Sequence, residues 1–371
     1  MEPLAPHEKV FVDSSFAEDE NHGQLGCEEC HGGNPDDPDW KTAHEGVTRD
    51  PSYPDPAETC GACHDDIAEY YQKSLHVSLS PFKKTVDIRA NRSPEIFRKV
   101  NMARETHCTE CHSSCGQCHI SRPNTAGGGF LEGHLFQKRP PVHTVCTACH
   151  GSRIEKEYFG KNKGIAPDIH RQKYFKCGKC HTADEMHGDG KDYANRYEVE
   201  NGPKCLDCHT GIYEPKAQNA KEHWVHKDQV SCQVCHSLPY KNCSGCHVGR
   251  DKNGLPFYKT ERTFLEFKIG LNPLKSAKRP ERFVTLRRVP VAHGTFDSYT
   301  KNGLSNFDML PVWKLATPHN IRRQTPQNKT CNACHGKPEL FLLKQDIEEQ
   351  YLPANKAVFV PPEFIPRKRN Q

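Results

Sequence analysis

All 20 cysteines of this 371-residue chain fall into one repeated pattern, Cys-x-x-Cys-His, which occurs ten times. The copies comprise Cys27, Cys30 and His31; Cys60, Cys63 and His64; Cys108, Cys111 and His112; Cys115, Cys118 and His119; and Cys146, Cys149 and His150. They continue with Cys177, Cys180 and His181; Cys205, Cys208 and His209; Cys232, Cys235 and His236; Cys243, Cys246 and His247; and Cys331, Cys334 and His335. Two thiols at this spacing reach the two vinyl groups of a haem while the adjacent imidazole reaches its iron. The expected cofactor is therefore haem c, covalently attached at ten places, with one iron each.

Other uses of paired cysteines explain less. Tetrahedral zinc chemistry asks for no histidine directly after every second cysteine, a disulfide scaffold leaves all ten histidines without a reason, and a redox Cys-x-x-Cys normally occurs once. The pattern resembles the multihaem c-type cytochromes, and the resemblance runs from Cys27 to His335. It implies attachment of haem outside the cytoplasmic membrane, hence a periplasmic or extracellular protein. No stretch reaches the 18 or so apolar residues of a membrane span, and the opening Met1-Glu-Pro-Leu-Ala-Pro is not a signal peptide.

Composition says what must surround these sites. Only 35% of the residues are hydrophobic, and 28 prolines and 26 glycines interrupt them. With one motif to about every 37 residues, macrocycles must supply much of the buried apolar surface. The expected fold is mainly α with extensive loops, cored by haem, with little regular sheet. The formal charge of +4 does not point to nucleic acid. Ten haems add about −20 from propionates and about +10 from ferric cores, so many of the 51 basic residues are expected to pair with propionates.

Motif starts are separated by 33, 48, 7, 31, 31, 28, 27, 11 and 88 residues. Two pairs are crowded, Cys108 to His119 and Cys232 to His247, and their shared Cys-x-x-Cys-His-Ser opening suggests an internal duplication. Three regions are expected. Residues 1–250 hold nine motifs, 251–330 form a basic insertion without cysteine, and 331–371 hold the tenth motif and an extended, proline-rich tail. Residues 250–288 carry eleven Lys or Arg against four Asp or Glu with interleaved Phe257, Tyr258, Phe264, Phe267 and Phe283, which reads either as a small non-haem lobe or, preferred here, as a strap across charged haem edges.

Ten irons bound on one side need ten further ligands, and 13 histidines lie outside the motifs. The candidates are His22, His44, His76, His134, His143, His170, His187, His223, His226 and His319, with His107 in reserve and His7 and His293 ranked lowest. The run Asp65 to His76 reads as a helix capped by Asp65 or Asp66, with Ile67, Tyr71 and Leu75 on one face. Twelve helical residues rise about 18 Å, so His76 should serve a different iron from His64. Ser93 and Pro94 open a second helix toward His107. Glycines at 127–129 and 133 allow close approach of backbone to a porphyrin beside His134. His223 and His226, three apart on one helical face, suit either two adjacent haems or one iron and one propionate.

Closed, bis-histidine irons leave no position for substrate. The expected function is single-electron transfer along closely packed haems between redox partner proteins, such as other cytochromes or a membrane-anchored complex, without catalytic residues and without nucleic acid. Two alternatives remain open. One is a multihaem reductase or oxidase of a small nitrogen or sulfur compound, although such families often place lysine in the proximal position and all ten motifs here end in His. The other is self-association into a cytochrome filament.

Overall fold

Short helices are what a chain so rich in proline, glycine and motif turns can build. The computed structural model describes residues 4–5, 7–108 and 113–370. Cys111 and His112 of the third motif lie outside these. The structure is mainly helical with extensive loops and three small antiparallel sheets. The chain divides into two units that interleave in sequence: Met1–Lys83, Cys108–Gly151 and Lys176–Gly202 in the first, and Lys84–His107, Ser152–Phe175 and Pro203–Gln371 in the second.

In the first unit the longest helical stretch is Asp65–Lys73, followed by a short turn, Leu75–Ser78. The expected single helix breaks at Ser74, whose ψ of 157° is extended. His64 itself occupies the N-cap, with Asp65 and Asp66 in the first turn beside the helix's positive end. The buried face carries Ala68 and Tyr71, whereas Ile67 is 42% exposed. That corrects the expected face by one residue. The hydroxyl of Tyr71 bonds Ser113 Oγ at 2.5 Å, and a polar staple closes nearby, with Ser52 Oγ and Ser114 Oγ both donating to Asp50 at 2.6 and 2.7 Å. Gly116 N–H then donates to Ser52 Oγ at 2.9 Å, fixing the fourth motif.

The second unit holds a conventional apolar interior. Its helix Pro94–Cys108 begins at the expected proline, and Val100 and Ala103 on it pack with Val248, Phe296 and Leu304. Strands β1 (Tyr240–Lys241) and β4 (Leu265–Glu266) pair, as do β2 (Cys246–Arg250) and β3 (Pro256–Thr260). Strands β5 (Lys268–Leu271), β6 (Phe283–Arg288) and β7 (Trp313–Leu315) form the third sheet in that order. Val284 and Leu286 on β6 lie in a cluster with Val312, Trp313, Leu342, Ile347, Tyr351 and Val358. Residues 203–371 run continuously through this unit. The basic stretch carries strands β3 to β6: Val284 and Leu286 of β6 are buried, whereas Phe257, Tyr258 and Phe264 are exposed. Arg287, charged as a surface residue would be, is buried on an ion pair with Glu157.

The C-terminal segment also departs from expectation. Prolines keep it from forming a long helix, but it folds back on the tenth motif: Gly336 N–H donates to Pro366 O at 2.7 Å, and the Arg282 guanidinium lies 3.9 Å over the Phe364 ring. Val358 and Val360 are almost wholly buried.

Candidate haem-binding sites

Positions i, i+3 and i+4 of a helical turn share one face, so a single turn presents both cysteines and the histidine of a motif together. Eight motifs adopt such a turn. Cys27–His31, Cys115–His119, Cys146–His150 and Cys232–His236 are five-residue α-helices. The second, sixth, seventh and tenth motifs are 3-10 turns in which the histidine N–H donates back to the first cysteine at 2.9–3.0 Å, as His64 to Cys60 and His209 to Cys205. The ninth motif differs: Cys246 and His247 begin β2.

Seven motif histidines face a second imidazole. The pairs are His31 with His134, His64 with His22, His119 with His187 and His150 with His76 in the first unit. In the second unit they are His209 with His170, His236 with His223 and His335 with His226. Ring centroids are 6.0–6.5 Å apart in every pair. That separation is too wide for a hydrogen bond between ring nitrogens. It matches the roughly 6.2 Å set by two metal–nitrogen bonds of about 2.0 Å plus about 1.1 Å from nitrogen to ring centre on each side. The residues present therefore fit a six-coordinate haem iron. His76 pairs with His150, not with the nearby His64, and His223 and His226 on the helix Ala220–His226 serve two different motifs.

Anchoring of the far ring nitrogen supports the same chemistry. His31, His119, His226, His236 and His335 place Nδ1 on the carbonyls of Thr48, Gln137, Glu222, Arg322 and Arg367 at 2.7–3.1 Å. His170 uses the Asp168 carboxylate and His181 that of Glu185, both at 2.8 Å. His44 and His319 are held likewise by Trp40 O and Thr317 O. A proton fixed on Nδ1 leaves the Nε2 lone pair for a metal. Burial holds His76, His134, His187 and His236 below the ordinary histidine range, in the neutral form that coordinates.

His134 sits at φ 79°, a left-handed conformation that a non-glycine residue adopts at a cost, between the edges of Phe16 and Phe130. The neighbouring glycines form turns, with Gly127 as the left-handed cap of Asn124–Ala126. Phe136, which no sequence motif singles out, stacks on His22 at 3.9 Å and lies edge-on to His134 at 6.2 Å. The reserve residue His107 turns its Nε2 to the Tyr299 hydroxyl at 2.7 Å. His293 is edge-on to Phe307 at 5.1 Å. His143 lies three residues before Cys146, with its carbonyl accepting from Thr147 Oγ1.

Thiols of successive motifs are neighbours within each unit. Cys60 and Cys115 share a hydrogen bond, as do Cys205 and Cys232. The Cys118 thiol is pushed up to about 12, first by burial and then by the Cys146 and Cys149 thiols. Cys146 is pushed up to about 11, by burial and then by Cys177, and Cys235 to about 12, by burial and then by Cys334. Motifs one, two, four, five and six thus form one row, with Cys30 feeling Cys60 at its start, and motifs seven, eight and ten form another. Among the described residues no cysteine is disulfide-bonded, and no three His, Cys, Asp or Glu side chains converge as a zinc centre requires. Among them, too, no helix is long and apolar enough to cross a membrane.

No solved structure matches the chain. Residues 59–151, which span the second to fifth motifs, match the family of cytochrome c554 and c-prime. The match covers about a quarter of the chain, and together with the repeated attachment motif it supports a multihaem c-type cytochrome acting in electron transfer.

Proposed function

We propose that the chain is a decahaem c-type cytochrome that carries single electrons between redox proteins outside the cytoplasm, in the periplasm or beyond the cell. The reading rests above all on the seven imidazole pairs, each joining a motif histidine to one from outside the motifs at 6.0–6.5 Å. Bound haem supplies a one-electron Fe(III)/Fe(II) couple. The cysteines would hold it covalently, the motif histidine would bind its iron, and the partner histidine would supply a second imidazole that keeps exogenous ligands out. His44, His143 and His319 are the remaining histidine candidates for the third and sixth motifs. Carbonyl and carboxylate partners on Nδ1 raise the basicity of the imidazoles and hold their orientation, which favours the ferric state and low potentials. The rows of adjacent motifs give an electron successive places to reside within each unit.

Mass spectrometry of the intact secreted protein tests the count: ten haem additions are expected, and fewer refute it. A redox titration followed at the haem absorption bands should give a broad, low-potential curve. A narrow, high-potential transition would argue against bis-histidine ligation.

A further inference from the structure

The ninth motif departs from the other described motifs in backbone and in what faces its imidazole. Cys246 and His247 lie on β2, which pairs with β3 in the register Cys246 to Thr260 and so returns residue 261 to the motif. Glu261 N–H donates to Gly245 O at 3.0 Å. Its carboxylate fills the space beside Gly245, where a Cβ would come within 2.7 Å of Glu261 Oε2 and 2.9 Å of Ala292 Cβ. Glu261 Oε1 then lies 3.2 Å from His247 Nε2, the nitrogen through which a motif histidine binds iron. The two thiols are framed by other polar groups, Arg153 Nη1 at 2.8 Å from Cys243 Sγ and Tyr258 Oη at 2.9 Å from Cys246 Sγ.

We infer that the carboxylate of Glu261, rather than a histidine, occupies the sixth side of the iron held by His247, making the ninth haem the exchangeable one. This rests on the reading of the ninth motif as a haem site. An imidazole nitrogen and a carboxylate oxygen on opposite sides of one metal stand about 4 Å apart, the sum of two bonds of about 2.0 Å. The hairpin therefore needs to open by less than 1 Å from the 3.2 Å observed. A carboxylate is a harder and weaker partner for haem iron than imidazole, so small anions such as azide or cyanide compete with it more readily. Where the paired histidines close their irons, this position admits a ligand.

The test uses the full-length, haem-loaded protein, oxidised, examined by electron paramagnetic resonance with and without azide. One haem in ten should be high-spin or convert on azide addition. Glu261→His should abolish that fraction and its azide response, and Glu261→Gln should tighten azide binding at least tenfold. Ten low-spin haems unresponsive to azide, or a response indifferent to both substitutions, would overturn the inference. So would a responsive fraction that first appears in His293→Ala or His319→Ala. Mass analysis of the peptide bearing Cys243 and Cys246 separates the two readings. With haem on the peptide, a negative spectroscopic result sinks only the role of Glu261. A haem-free peptide refutes the ninth attachment site and this inference together.

Discussion

Among the described residues, the buried aliphatic and aromatic side chains of the first unit are Ala68, Tyr71 and Val145, whereas the second buries three apolar clusters around β5, β6 and the helix Pro94–Cys108. The first unit carries six of the ten motifs, the second four. The contrast teaches that side-chain core and attachment-site density trade against each other along one chain. Where motifs crowd, polar staples such as Asp50 with Ser52 and Ser114 hold the chain, and the proposed coordination by the imidazole pairs would add to that cohesion. Where they thin out, sheets and aliphatic packing return.

The strongest way to break this comparison is to withhold haem. In a chain made without haem attachment, amides of residues 7–83 and 176–202 should exchange with solvent at nearly unstructured rates. Those of Ile269, Thr285 and Leu286 in the β5–β6 ladder should stay protected by orders of magnitude. Equal protection in both units, read by hydrogen exchange with mass spectrometry, would erase the distinction. Next in size is Leu286→Ala, which removes a side chain 1% exposed at the centre of the largest cluster. It should cost about 3–4 kcal/mol in denaturant unfolding of the second unit while the haem spectra of the first stay unchanged.

Ligand removal sharpens the comparison from the other side. His187→Ala and His170→Ala each deprive one motif histidine of its partner, and each should turn one haem high-spin. Limited proteolysis should then cut the 176–202 segment in the first variant but leave the second variant's sheets intact, because only the first unit depends on coordination for cohesion. The smallest effect is expected of Tyr299→Phe. His107 loses its 2.7 Å hydroxyl partner, costing about 1 kcal/mol with no change in haem spin state. A spin change there would make His107 a ligand.

The candidate attachment motifs are legible in the sequence because the chemistry proposed for them is local: two thiols and an imidazole within five residues. Proline marked the start of the helix at Pro94, whereas the helix expected to run from Asp65 to His76 breaks at Ser74. Partner choice was not legible. His119 meets His187 and His31 meets His134 across 68 and 103 residues of chain, and no local periodicity encodes such meetings. The second unit's sheets were missed for a different reason. Basic residues on β6 suggested a strap across charged haem edges, yet four consecutive residues, Val284 to Arg287, are buried, and Glu157, 130 positions away, receives Arg287. The Phe283-Val-Thr-Leu run held the signal, a β-rich stretch covered on both faces.

The helix Ala220–His226 places His223 and His226 one turn apart, facing motifs that are themselves 99 residues apart in sequence. It therefore acts as a ruler whose length tolerates no editing. One residue inserted between the two histidines would rotate the second by about 100° and strand one site. The loop at residues 251–255 carries no such constraint, so length variants of this protein should accumulate in that loop and be absent between His223 and His226.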